Sequence, residues 1–309
     1  MYDIEALYEA ESPAHAVQLL QEHPGARIIA GGSDVLIEIR DGKFTSRGEL
    51  TSRGELASPG GAGCTLVSIQ KLDELRGVCF DQEGALRIAA LTSVSRIASD
   101  PLIKKHIAVL GEAAETIGGP QLRNIATIGG NVCNGVTSAD TASTLLAWDA
   151  VMEYLGPGGT RLLPIREHYV AAGRTALAQG EILSAIIIPK ESYENCFGHY
   201  IKYAMREALD IATLGCSANL RLSRDGKIIE RLRIAYGVAG PAPMRSPSAE
   251  TAAIGKPADE ETISAAAHAV LTDISPWTSW RATREFRFHL AEELARRTIR
   301  ESIGRARHG

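Results

Sequence analysis

The apolar positions of this chain fall into short runs separated by glycine, proline and polar punctuation, and each run predicts an element. Ser12 caps a first helix, Pro13 fits its first position, and His23-Pro24-Gly25 closes it. Ala26-Arg27-Ile28-Ile29-Ala30 reads as a short buried strand running into Gly31-Gly32, and Ser33 to Arg40 as a short helix with Ser33 or Asp34 at its cap. Thr65 to Ile69 is a further strand. Cys79 to Ala90 is a hairpin turning at Gln82-Glu83-Gly84, with Thr92 capping a short helix and a longer helix after Pro101. Val151 to Ile165 is a second hairpin, turning at Gly156-Pro157-Gly158-Gly159. Strand patterns return at Ile182–Ile188 and Tyr200–Met205. Ala212–Leu222 and Ile228–Val238, joined by Ser223-Arg224-Asp225-Gly226, form the clearest antiparallel pair. Helices follow at Asp259–Thr272 and from Trp280 to Ile303. The order is mixed rather than a regular strand–helix alternation, so the expected class is α+β. A length of 309 residues fits about two domains.

Residues 42–63 differ in kind. Thr45-Ser46-Arg47-Gly48-Glu49-Leu50 is repeated at once over 51–56, followed by Ser58-Pro59-Gly60-Gly61. One hexapeptide copy is too short for a solenoid, and so polar a stretch buries too little to order itself. It reads as a mobile loop, with a docking loop as the functional alternative.

Composition narrows the function classes. Hydrophobic residues make up 45% and charged residues 23%, as in ordinary globular proteins. Lys and Arg number 33 against 37 Asp and Glu, a net charge of −4 that disfavours a nucleic-acid partner. No apolar run is long enough for a membrane span. The start, Met1-Tyr2-Asp3-Ile4-Glu5, lacks a secretory signal, so the expected location is cytoplasmic. The five cysteines (Cys64, Cys79, Cys133, Cys196, Cys216) are widely spaced without a CxxC pair, which argues against a disulfide scaffold, a zinc knuckle or an iron–sulfur cluster held by this chain alone. A phosphate-loop motif, a GxGxxG fingerprint, a GxSxG elbow and HxxxH spacing are all missing.

Two glycine pairs remain in similar settings: Ile28-Ile29-Ala30-Gly31-Gly32-Ser33-Asp34-Val35-Leu36 and Ile125-Ala126-Thr127-Ile128-Gly129-Gly130-Asn131-Val132-Cys133-Asn134. Glycine permits φ > 0 and close approach of a ligand, and consecutive N–H groups in such a bend make an anion nest. Two facing nests would hold a pyrophosphate; the alternative is two ordinary turns. Asp140 stands where it either caps a helix or reaches a ribose. Lys202 lies in an apolar strand, where an edge-strand solvated role competes with a ligand role. Arg206, Glu207 and Asp210 read as a salt-bridge network. Cys133 reads as a small buried residue rather than a redox group. Arg296, Arg297, Arg300, Arg305 and Arg307 read as a solvated helix face.

Taken in order, Ala30-Gly31-Gly32-Ser33-Asp34, Gly119-Pro120-Gln121-Leu122-Arg123-Asn124-Ile125-Ala126-Thr127-Ile128-Gly129-Gly130-Asn131, Cys133 to Asp140, Lys202 to Ile211 and Trp280 to Arg287 resemble the FAD-binding subunit of the molybdenum hydroxylases, in particular the separate flavin subunit of bacterial xanthine dehydrogenases. The resemblance implies a vanillyl-alcohol-oxidase-type (PCMH-type) FAD-binding fold of two α+β subdomains over 1–178, followed by a smaller α+β C-terminal domain over 179–309. By position, it implies that Ile28, Ile29, Ala30, Gly31, Gly32, Ser33, Asp34, Val35 and Leu36 wrap the pyrophosphate. Gly118, Thr127, Ile128, Gly129, Gly130, Asn131 and Asn134 contact the cofactor, Asp140 holds the adenosine ribose, and Leu183 packs on the cofactor. Lys202 lies near the isoalloxazine as the catalytic residue. With no histidine in either glycine motif, FAD is expected to be non-covalent. The resemblance further implies partner chains: a molybdopterin-binding large subunit and a [2Fe-2S] small subunit, assembled as a dimer of heterotrimers. Electrons would pass from hypoxanthine or xanthine to NAD+. The alternatives are a sibling acting on an aldehyde, carbon monoxide, another N-heterocycle or 4-hydroxybenzoyl-CoA, and a flavin-less scaffold subunit.

Overall fold

The computed structural model describes residues 3–42 and 63–308, so the hexapeptide duplication lies outside the described residues. The expectation of a mobile or docking loop over 42–63 therefore falls almost wholly on undescribed positions.

Near the start, strands β1 (Ile4–Glu9), β2 (Arg27–Ile29) and β3 (Cys64–Ser68) form a small parallel sheet with β3 in the middle. The helix between β1 and β2, Pro13–Glu22, begins as its punctuation predicts, with the Ser12 hydroxyl accepting from the His15 amide. Its buried face, Ala16, Val17, Leu19 and Leu20, covers the sheet.

A second, antiparallel sheet takes β4 (Val78–Phe80), β5 (Leu86–Ala89), β6 (Val151–Gly156), β7 (Gly159–Pro164) and a later strand. Between them the chain makes a two-stranded ribbon, β8 (Tyr169–Ala171) with β9 (Arg174–Thr175), before the fifth member, β10 (Ile182–Ile188). The order is β4-β5-β10-β6-β7, so β10 is the central strand. This corrects the expected division at 178/179, which would tear β10 away from both of its hydrogen-bonded neighbours. The physical break falls between Ile188 and Phe197. Both predicted hairpins form; in the first, the Asp81 carboxylate accepts from the amides of Glu83 at 2.9 Å and Ala85 at 2.8 Å and so shapes the turn.

The third sheet holds β11 (Phe197–Tyr203), β12 (Leu214–Leu222), β13 (Ile229–Gly237) and β14 (Met244–Arg245), in that order and antiparallel. Helix Arg284–His308 buries its apolar side against it, and helix Glu260–Ala269 packs on Arg284–His308 within the same core. Among the described residues the molecule is thus a two-domain α+β protein, as its sequence leads one to expect.

Three local expectations are corrected. Ser93, not Thr92, caps the helix Val94–Ser99; the Thr92 hydroxyl instead accepts from the Gly77 amide at 2.9 Å and donates to the Gly77 carbonyl at 3.0 Å. The helix after Pro101 is two helices, Pro101–His106 and Ala108–Glu115, broken at Ile107. The last helix starts at Arg284, leaving Trp280 in a loop. No helix among the described residues is long and apolar enough to cross a membrane.

Candidate functional site

The first glycine pair makes a bend between β2 and the helix Val35–Arg40. Gly32 takes φ +74°, which a β-carbon would oppose. Among the described residues, none accepts a hydrogen bond from the amides of Gly31, Gly32, Ser33 or Asp34. Four successive unengaged N–H groups around a left-handed residue are the anion nest expected here. Ile28, Ile29, Ala30, Val35 and Leu36 are only half-buried, an apolar wall left open on one side. Asp34 sits at the helix cap position without capping. Burial pushes its carboxyl up, opposed by a hydrogen bond from the Asn134 side chain.

The second pair is built differently, which corrects the expectation of two matching nests. Thr127 caps a helix, Ile128–Cys133, and its hydroxyl accepts from the Gly130 amide at 3.0 Å. The amides of Ile128 and Gly129 go to the carbonyls of Thr92 and Ala90. Its donors are therefore spent inside the protein. Gly129 is needed for a different reason: a β-carbon there would lie 2.7 Å from the Ala90 carbonyl oxygen. Asn131 accepts from the Thr141 hydroxyl at 2.6 Å, and Asn134 lies just beyond the helix end.

The two motifs meet. A β-carbon on Gly31 would stand 2.2 Å from the Ile125 carbonyl oxygen, so only glycine lets the first bend rest on the backbone before the second motif.

Asp140 opens the helix Asp140–Ala147, but its side chain does not cap it. Its carboxylate accepts from the Tyr200 hydroxyl and from Lys202 Nζ, each at 2.9 Å, and Lys202 also donates to the Thr116 carbonyl at 3.0 Å. Side chains of the pair are 8% and 10% exposed, so the solvated reading of Lys202 fails although β11 is an edge strand. Burial raises the Asp140 carboxyl, and the charge of Lys202 with the hydroxyl of Tyr200 pulls it partly back. Two residues that the resemblance sets at opposite ends of the dinucleotide are thus one buried unit. The turn after Thr116 carries Gly118 at φ +48°, gripped from the other side by Arg123, which donates to the carbonyls of Glu115 and Ile117 at 3.0 Å and Gly118 at 3.2 Å.

Leu183 has its side chain buried in the core beneath the second sheet. Cys133 is a packing residue whose thiol burial pushes up to about 12, which suits no redox or metal role. Sequence reasoning missed Tyr200, Arg123 and His168, since a hydroxyl or ring that holds another group carries no spacing signal. No group of metal-ligating side chains occurs among the described residues.

An amide-lined bend resting on a second glycine motif fits a diphosphate, and a buried cation with its carboxylate fits the polar edge of a ring system. Known proteins agree with that chemistry. Residues 62–191 match the model for the FAD binding domain in molybdopterin dehydrogenase, and residues 199–302 that for the CO dehydrogenase flavoprotein C-terminal domain. The xanthine dehydrogenase FAD-binding subunit of Escherichia coli O157:H7 is 38% identical over 306 residues, 99% of this chain and 98% of that one. The carbon monoxide dehydrogenase medium chain of Hydrogenophaga pseudoflava is 28% identical over 240 residues, 78% of this chain and 82% of that one. A solved carbon monoxide dehydrogenase from the same organism superposes with a TM-score of 0.87 at 26% identity, covering 99% of each chain.

Proposed function

The chain belongs to the FAD-binding subunits of the molybdenum hydroxylases, oxidoreductases of the xanthine and carbon monoxide dehydrogenase type, and from that membership we propose that it serves a xanthine dehydrogenase-type complex. In this reading a molybdopterin-binding large chain oxidises hypoxanthine or xanthine, a small [2Fe-2S] chain relays the electrons, and this chain passes hydride to NAD+. The assembly is a dimer of heterotrimers in the cytoplasm. When bound, FAD supplies the exchange between single electrons and a hydride pair, while the protein binds and tunes it.

The observation that carries the reading is the row of unengaged amides from Gly31 to Asp34, seated on the second glycine motif. These amides hold the diphosphate non-covalently, flanked by Ile28, Ile29, Ala30, Val35 and Leu36. Thr127, Gly129 and Gly130 shape the facing wall, and Asn131 and Asn134 offer side-chain amides toward phosphate and ribityl oxygens. Lys202 is the cation beside the isoalloxazine. Because Asp140 neutralises it, the pair presents a fixed N–H donor rather than a net charge. Tyr200 and the Thr116 carbonyl keep that donor from moving.

Two measurements test this. The isolated wild-type chain should be yellow and retain FAD, whereas Gly31→Ala, which drives the motifs apart, should weaken FAD at least about tenfold. The complex isolated with its partner chains should oxidise hypoxanthine with a rate that depends on NAD+. A colourless wild-type chain that refuses added FAD would sink the proposal; a flavin-loaded complex indifferent to hypoxanthine would move it to another substrate of the family.

A further inference from the structure

We propose that the loop and helix start from Trp277 to Arg287 dock an acidic segment of a protein partner, one of the chains of the complex proposed above; the inference rests on that reading for the partner's existence. The argument starts from unbalanced charge. Along the last helix Arg296, Arg297, Arg300 and Arg305 are each paired with a glutamate of this chain. At its beginning the cations within reach of solvent are the half-buried Arg281 and the exposed Arg284, beside a single glutamate, Glu285, and no salt bridge to either occurs among the described residues. Arg284 also opens the helix, where the dipole favours anions and repels cations. Cations placed at the wrong end of a helix, unpaired in a chain of net charge −4, call for carboxylates from outside.

The same segment is rigid and aromatic. Arg287 is 1% exposed and donates to the Thr213 carbonyl at 3.3 Å, the Ser279 hydroxyl at 2.8 Å and the Trp277 carbonyl, which pins the loop in one shape. Trp280 is 75% exposed, with the Arg281 guanidinium stacked 4.1 Å from its ring centroid. Trp277 and Phe286 are 39% and 41% exposed. Pre-ordered tryptophan beside arginine is the composition of interface hot spots, and so fixed a loop loses little freedom on binding. Phe286 meets Tyr203 edge-on at 5.9 Å between centroids, which ties the helix start to β11.

The test uses the flavin-bearing chain and its purified partner chains, with affinity measured by calorimetry and flavin content by absorbance. Trp280→Ala, and separately Arg281→Glu combined with Arg284→Glu, should each weaken association at least about thirtyfold with unchanged flavin content and melting temperature. The charge-reversed variant should also lose the salt dependence of the wild type. Affinity within about threefold of wild type in both variants overturns the proposal, as does a wild type that binds none of the partner chains. Loss of self-association with partner affinity intact would assign the surface to a second copy of this chain and overturn it equally. Failure of the functional reading is separate, since it shows as a wild type without flavin.

Discussion

A histidine that no motif announces holds the second glycine motif from behind. His168 is buried; its Nε2 donates to the Val132 carbonyl at 3.1 Å, and its Nδ1 takes the Tyr154 hydroxyl. That arrangement needs the neutral ring, and burial pushes His168 below its ordinary 6.5. A depressed folded-state value means that the contribution of His168 to stability is complete above pH 6.5 and is lost as pH falls through the lowered value. His168→Gln can keep both hydrogen bonds without titrating. Its melting temperature should therefore fall less than that of the wild type between pH 7 and the acid limit; parallel curves would remove His168 from the account. Asp140 and Lys202 show what the sequence conceals at this scale. Each has a common bland role, cap and edge-strand lysine, and their pairing across 62 positions is invisible until β11 is laid beside the helix.

Elements were more legible than residues. The hairpins at 78–89, 151–164 and 214–237 follow from alternation and turn chemistry, both of which are local. The second glycine motif reads as an open bend because glycine permits φ > 0 and close approach, yet Thr127 imposes a helix by capping. Thr127→Ala should cost about 1 kcal/mol in urea unfolding, the usual worth of such a cap, and should weaken FAD as the Gly130 amide loses its acceptor. Unchanged stability would mean that packing against Ala90 alone forms the helix. The break at Ile107 had no comparable signal: Pro101 announces a start, and nothing in the sequence that follows announces the interruption.

For the whole molecule, the class and the number of domains could be read in advance, and the boundary could not. β10 belongs with β5 and β6, which lie far behind it in the chain, and such pairing leaves no local trace. The two domains are joined less by their connecting segment than by the helix Asp140–Ala147, which lies on β12 and β13. Thr144 meets Ser217 midway at 3.2 Å. Beyond the far end, Asp149 at φ +48° accepts from Arg231 at 2.7 Å and Arg233 at 3.3 Å and also binds Arg245. Asp149→Asn tolerates the left-handed backbone and removes only the charge. Since Asp149 is 37% exposed, the loss should be about 1–2 kcal/mol, below the roughly 3–5 kcal/mol of a fully buried pair. The unfolding curve should broaden as the halves begin to separate; a transition as sharp and as high as the wild type's would show that the charges at this joint are dispensable.

That helix is a rod of about 12 Å bolted near each end to the neighbouring sheet, with Lys202 at one bolt and the arginine cluster at the other. A molecule that settles against Lys202 tightens the first bolt directly. Cohesion of the two halves and occupancy at Lys202 then become a single mechanical property, and a chain stripped of its flavin should slacken first at this joint, before either half begins to melt.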